Sequence, residues 1–489
     1  MKTRLLLAVA LVAAMLSAAA AGEPFSRARW IEREMRTRWF SGGVIPNDRM
    51  LPVPRVNPGT ARGIPGLVRV SHDLLPSFGG SQPETQAEPY IAANPNNSDN
   101  LIATWQESRF ADGGARCLAY ATSTDGGATW SEGLPPHLTV ANGGDWDRAS
   151  DPWVAFGPGN RAYFISLLFN EQTPDNAVGM SVSTDGGLSW ADPVIVSDAR
   201  ANFNDKESVA ADAFLASPHS GNVYAAWDIN VANTQNQRLV VSRSTDGGQT
   251  WNKPVKVRGK GNNVGVIPRV APDGTVYVVW NGIKAGTTYV MFSRSTDGGL
   301  TWSKFRLLEP IRSRGVAEFR SGNGLPSFDV DPLTGALYVA WTDGRWGPTD
   351  QVTMISSTDG GATWTPAQQV STGPSDAPVF TVAVAAQAGG GVAVSYYSLQ
   401  NDPERRYLAD VYVRRSPNGG ATWLGVDRLT DSSFDMRFAA QARGYFLGDY
   451  AGLAGTQAGY HALFVAPLLP SAIEPTRFQP DAFVSSAVN

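Results

Sequence analysis

Charged residues of both signs recur at one place in this chain, the head of the strand that opens each of a series of similar segments. Glu88 begins EPYIAAN, Asp151 begins DPWVAF, Glu207 lies in KESVAA, Arg269 in VIPRV, and Asp449 and Tyr450 end FLGDY. Polar loops beside these strands add Arg109, Asp147, Arg148, Asp205, Arg320, Asp343, Arg345 and Arg437. Arginine forks bind a carboxylate through two parallel hydrogen bonds, and carboxyl groups carry protons to and from a substrate. Converging on one mouth, such a set suits an anionic sugar. It equally suits a plainer task, ion pairs that pin neighbouring segments, and spacing alone leaves both open.

The elements that must position these residues are written into a repeat. STDGGATW (Ser123–Trp130) returns as STDGGLSW, STDGGQTW, STDGGLTW, STDGGATW and SPNGGATW, with Asp125, Asp185, Asp246, Asp297, Asp359 and Asn418 in the third position. Those six residues are 60, 61, 51, 62 and 59 positions apart. A fixed period of this length means stacked supersecondary units, none able to bury its apolar face alone. Within one copy, Gly-Gly supplies the positive φ of a tight hairpin. The Asp accepts bonds from its own turn, and the Trp folds back as an apolar plug. The octapeptide reads as architecture and not as chemistry.

These residues resemble the Asp-box, or bacterial neuraminidase repeat, of the sialidase superfamily. Six near-perfect copies carry the resemblance over roughly residues 80 to 489. It implies an all-β fold, a β-propeller of four-stranded blades with the Asp-box hairpins on one face. Opening strand pairs number seven against six boxes, so seven blades are favoured and six is the alternative. The last unit ends at DAFVSSAV without a fourth strand, which Val68–Val70 can supply to close the ring. Sialidases use a tyrosine nucleophile, a glutamate that takes its proton, an aspartate acid/base and three arginines on the substrate carboxylate. The resemblance thereby implies Tyr450 as nucleophile, Glu207 as its base and Asp151 as acid/base. Substrate binding falls to Arg109, Arg148, Arg269, Arg320, Arg345, Glu88, Asp205, Asp343 and Asp449. The family's Phe/Tyr-Arg-Ile-Pro motif before the first blade is missing. The function implied is an exo-α-sialidase-like hydrolase of terminal acidic sugars. The alternatives are a propeller that binds glycans or proteins through aromatics such as Trp146, Trp346 and Tyr407, or another polysaccharide-active enzyme such as a lyase.

Composition agrees with a strand-and-turn protein: 51 Gly and 33 Pro in 489 residues, with 42% hydrophobic content for a core. A net charge of −4, with no basic run interleaved with aromatics, argues against nucleic acid. Residues 1–21 read as an export signal: Lys2 and Arg4, an apolar run too short to span a bilayer, then small residues. A secreted or periplasmic monomer without a transmembrane segment is expected. Residues 22–65 read as an arm or propeptide, and 66–489 as the repeat body. The single Cys117 lies in a strand pattern and suits a buried thiol. The four histidines lack paired spacing, so no metal or other cofactor is expected. Asp-rich turns such as DVDPLTG (Asp329–Gly335) leave Ca²⁺ open, without the spacing of a calcium loop.

Overall fold

The computed structural model describes residues 67–76, 80–82, 85–200, 202–234, 236–258, 261–430, 432–468, 479–485 and 488. The expected signal (1–21) and arm (22–65) lie outside the described residues. Those described are all-β, with three short 3₁₀ turns and no α-helix among them.

The strands form antiparallel sheets in chain order, here lettered A to G by their first strands. These are Gln86–Asn94, Arg148–Phe156, Phe203–Ala211, Asn263–Val270, Ser327–Val330, Val379–Ala386 and Gly452–Thr456. Each sheet runs outward through three further strands. A single pairing, Ala115 with Ala149, joins A and B. The short last strand of A lies beside its third strand. Sheet G borrows its outermost strand from the other end of the chain: Leu67–Arg69 pairs with Gln479–Ser485, Val68 opposite Val484. This is the closure expected from DAFVSSAV.

First strands of successive sheets lie side by side, and that of G returns to that of A. There Gly452 packs so closely that a Cβ would stand 2.8 Å from the Ile91 nitrogen. Between the sheets, Val, Ile and aromatic side chains make a dry core that includes Trp105, Trp227, Trp280 and Trp341. Alternating side chains of each buried strand meet the neighbouring sheet on either face.

The octapeptides link third to fourth strands and brace the seams. In the first copy Ser123 Oγ donates to Asp125 Oδ1 at 2.8 Å. Thr129 donates its N–H to the same oxygen at 2.9 Å and its hydroxyl to Oδ2 at 2.5 Å. The Thr129 bonds pull the Asp125 pKa down to about 2. Asn418 keeps the pattern with an amide, accepting from Thr422 N–H at 2.8 Å and donating to its hydroxyl at 2.9 Å. The second glycine of each copy has positive φ and lies against the preceding sheet. A Cβ on Gly187 would meet Ile102 at 2.4 Å, and one on Gly361 would meet Phe292 at 2.4 Å. Gly127 of the first copy lies against His461 of sheet G, so the same device serves the seam where the chain's ends meet.

Candidate functional site

One backbone feature repeats at the head of the first strands. In sheets A, B, C, D and F, two residues face one across the ladder: 88–89, 151–152, 206–207, 265–266 and 381–382. The first residue of each bulge has positive φ: Glu88 54°, Asp151 54°, Lys206 52°, Gly265 70° and Thr381 47°. Four of these five carry a side chain in a region that disfavours one. A bulge turns its extra residue out of the ladder. Here it brings Glu88, Asp151 and Lys206 from consecutive sheets to one point.

Lys206 is the centre of that point. Its ammonium lies 2.6 Å from Asp449 Oδ2, 3.3 Å from Glu88 Oε1 and 3.6 Å from Asp151 Oδ2, all four side chains almost fully buried. Burial alone would lower the Lys206 pKa, but Asp151, Asp449 and Glu88 outweigh it and raise it. Burial opposes ionisation of Asp449, yet Arg320 and Lys206 hold its pKa well below the usual carboxylate range. Arg320 grips Asp449 with both prongs, at 3.1 and 2.6 Å. Burial and Asp151 push Glu88 up to about 8, so it is protonated at neutral pH. Asp205, half-buried beside this group, is pushed up to about 6 by burial and Asp151.

Three guanidinium groups gather next to it. Arg109 and Arg320 both stack on the Phe446 ring, at 4.4 and 4.7 Å. Burial and Arg320 lower the pKa of Arg109 to about 10, and of Arg443 to about 9. Arg109 hydrogen-bonds Gln106, while its Nε has no partner. Neither Arg109 nor Arg443 pairs with a carboxylate among the described residues. A short parallel pairing, Phe319–Arg320 with Tyr445–Phe446, holds Arg320 beside Phe446.

A chamber of ≈ 730 Å³, its open mouth included, lies on the other side of Asp449 and Lys206. Its wall carries Glu207, Tyr450, Trp153, Tyr90 and Arg269, and none of the three clustered guanidiniums. Tyr90 stacks on Trp153 at 3.9 Å, and Tyr450 tilts against Trp153 at 5.3 Å. The Tyr450 hydroxyl and both Glu207 oxygens are buried without a partner. Burial, chiefly, raises the pKa of each well above normal.

The sequence-predicted residues thus divide. Glu88, Asp151, Asp205, Asp449, Arg109 and Arg320 meet at the hub, with Tyr450 and Glu207 next to them on the chamber wall. Arg269 lies four residues beyond its bulge, bound to Asp329 at 2.9 Å and to Tyr90 at 2.8 Å. Arg148 and Arg345 fit the plainer alternative. Arg148 pairs with Asp112 and Glu171 and covers Phe110. Arg345 pairs with Glu309 and with Asp343, which also accepts from Trp341. Glu207 and Arg269 were read as strand-head residues; Glu207 is the second residue of its bulge, which opens on Lys206, and the bulge in Arg269's strand opens on Gly265. Aligning EPY, DPW, KES, GVI and TVA in register identifies Lys206 from sequence. Arg443 is missed because only folding brings it to Arg320. Missed too is a tyrosine–glutamate bond: Tyr407 donates to Glu318 at 2.5 Å, with Arg406 and Arg437 each 4.8 Å from its ring. Among the described residues no group of three or more His, Cys, Asp or Glu has the arrangement of a metal site.

Residues 161–324 match the BNR repeat-like domain family. A sialidase of Bacteroides fragilis is 39% identical over 92 residues, 15% of this chain and 17% of that protein. In these stretches the chain resembles the BNR-repeat, or sialidase, superfamily. Its match spans about a sixth of the curated relative's length. Among solved structures, Trypanosoma rangeli sialidase bound to DANA is similar with TM-score 0.45 and 18% identity, over 69% of this chain and 58% of that one. The Hadza microbial sialidase Hz136 gives 0.46 and 13%, over 92% and 99%. A Dyadobacter fermentans protein of unknown function gives 0.42 and 16%, over 68% and 95%.

Proposed function

We propose that the chain is a secreted sialidase-like glycoside hydrolase acting on terminal acidic sugars, with sheets A to G as seven blades of a propeller and residues 66–489 as its catalytic body. The observation that carries this reading is the cluster of Arg109, Arg320 and Arg443, two of them without a carboxylate partner. Buried like charges held together are costly, and an incoming carboxylate relieves that cost. In this reading the arginines hold the sugar carboxylate. Asp205, protonated below about pH 6, serves as proton donor in place of Asp151, which Lys206 keeps ionised against burial. Tyr450, on the chamber side of Asp449, is the nucleophile, and Glu207 is its base only after a shift that brings together two groups now buried without partners.

The Tyr407–Glu318 bond supports a second assignment of the nucleophile on the same scaffold. One assay separates the two: release of methylumbelliferone from its sialoside by wild type, Tyr450→Phe and Tyr407→Phe. Loss of turnover by at least about a hundredfold in only one variant identifies the nucleophile. Folded wild type without turnover on sialosides, together with retained sialic acid binding that Arg443→Gln abolishes, replaces the hydrolase with a glycan-binding propeller. Failure of both turnover and binding removes the acidic-sugar reading.

A further inference from the structure

The chain's charge is unevenly distributed. Between residues 236 and 314 thirteen Lys or Arg stand against four Asp or Glu, a net +9 in a chain whose total is −4. Five of these cations have structural duties: Arg269 pairs with Asp329, and Arg314 donates to the Gly344 carbonyl. Arg243, Arg294 and Arg306 donate to backbone carbonyls at Gly298, Gly360 and Gly361, in the octapeptide of the next unit. Others do not: Lys253, Lys256, Lys284 and Lys304 are exposed and pair with no carboxylate among the described residues. All belong to sheets C and D, Lys253 and Lys304 just before the last strands, Lys256 within one and Lys284 at the end of the second strand of D. Val255–Arg258 is the last strand of C, and Arg306–Pro310 the last of D. Phe305 marks the seam between the two sheets, with Arg258 4.0 Å and Lys284 5.5 Å from its ring. Lys253 and Lys304 each follow the octapeptide tryptophan by two residues, a place taken by Asp192 in the second copy and Pro366 in the fifth. The patch is therefore a departure from the repeat and not a product of it.

Unpaired cations crowded on one rim repel one another. The burial of Arg258, which lowers its pKa, adds to the strain. A flexible chain bearing regularly spaced anions removes both costs. We propose that the rim of sheets C and D is a docking surface for an acidic polysaccharide, recognised by carboxylates or sulfates along its length. Phe305 packs against two cations and offers no open face for base stacking, which favours a polysaccharide over single-stranded nucleic acid. Binding is electrostatic and salt-sensitive, and independent of the hub arginines.

The test uses the full chain and three immobilised probes: polygalacturonate, uncharged dextran and a single-stranded oligothymidylate. Wild type should bind polygalacturonate at low salt and not dextran. Lys253→Gln/Lys256→Gln/Lys284→Gln/Lys304→Gln, all at exposed positions, should bind it about tenfold or more weakly with a shallower salt dependence. Equal binding by the quadruple variant, no binding by wild type, or stronger capture by oligothymidylate would each overturn the proposal. Circular dichroism and the melting midpoint verify that the quadruple variant is folded.

Discussion

Replacing Lys206 with Met removes the one ammonium shared by Glu88, Asp151 and Asp449 and keeps the side-chain volume. Breaking a buried charge pair by removing one partner costs about 3–5 kcal/mol. Unfolding entropy of about 2.1 cal/mol/K per residue, over roughly 400 described residues, comes to ~0.8 kcal/mol/K. The midpoint should therefore fall by about 5 °C at pH 7. The pH dependence follows from the direction of the shifts. The folded pKa values of Asp449 and Asp151 are depressed. Their contribution is present above the unfolded value near 4 and is lost as pH falls through the folded value. Without Lys206 burial raises Asp151, whose stability contribution is then lost as pH rises, while Arg320 still holds Asp449 ionised. The gap between wild type and variant should be widest near pH 7 and close toward pH 4. Glu88→Gln is the internal control, because Glu88 already carries a proton below about 8, and its midpoint at pH 6 should match wild type within about 1 °C. Differential scanning calorimetry from pH 4 to 8 measures all three proteins. An unchanged midpoint for Lys206→Met, or a deficit that stays constant across that range, would refute the account of the hub as a lysine-centred ion cluster.

Arg443→Gln should raise the melting midpoint, because it relieves repulsion from Arg320 and Arg109, while kcat/KM on an acidic sugar falls. Scanning calorimetry and the fluorogenic sialoside read the two effects, and a fall in both would contradict a site strained for binding. With Asp205 as proton donor, kcat should decline as pH rises through about 6, and Asp205→Asn should flatten that limb of the pH profile. Asn418→Asp restores two acceptor oxygens to the sixth octapeptide and should raise the midpoint by about 1 °C at neutral pH.

Much of the fold was legible because glycine pairs, hydroxyls and tryptophan at a fixed period leave few conformations open. The strand lent by Val68–Val70 was legible from a missing partner for DAFVSSAV. The site was legible only in part. Glu88 and Asp151 stand out because proline follows each and marks the strand head, whereas Lys206 and Gly265 occupy the same bulge without that marker. Arg148 and Arg345 have the right type and the right kind of loop, yet their acidic partners Asp112, Glu171 and Glu309 lie 36, 23 and 36 residues away in sequence. No local pattern records such pairing. The gathering of Arg109, Arg320 and Arg443 across more than three hundred residues is likewise a property of the closed cycle of sheets.

The residue opening each bulge has no single partner opposite it in the ladder, and its side chain meets groups beyond its own sheet: Lys206 meets Glu88, Asp151 and Asp449, and Thr381 donates to the Ser321 carbonyl. The ring accordingly offers a circle of interchangeable sockets aimed at a common centre. Glycine, threonine, lysine and two acids already occupy them, and exchanging a single letter there rewrites the centre's charge while the frame stays intact. A scaffold of this kind can change its ligand faster than its shape.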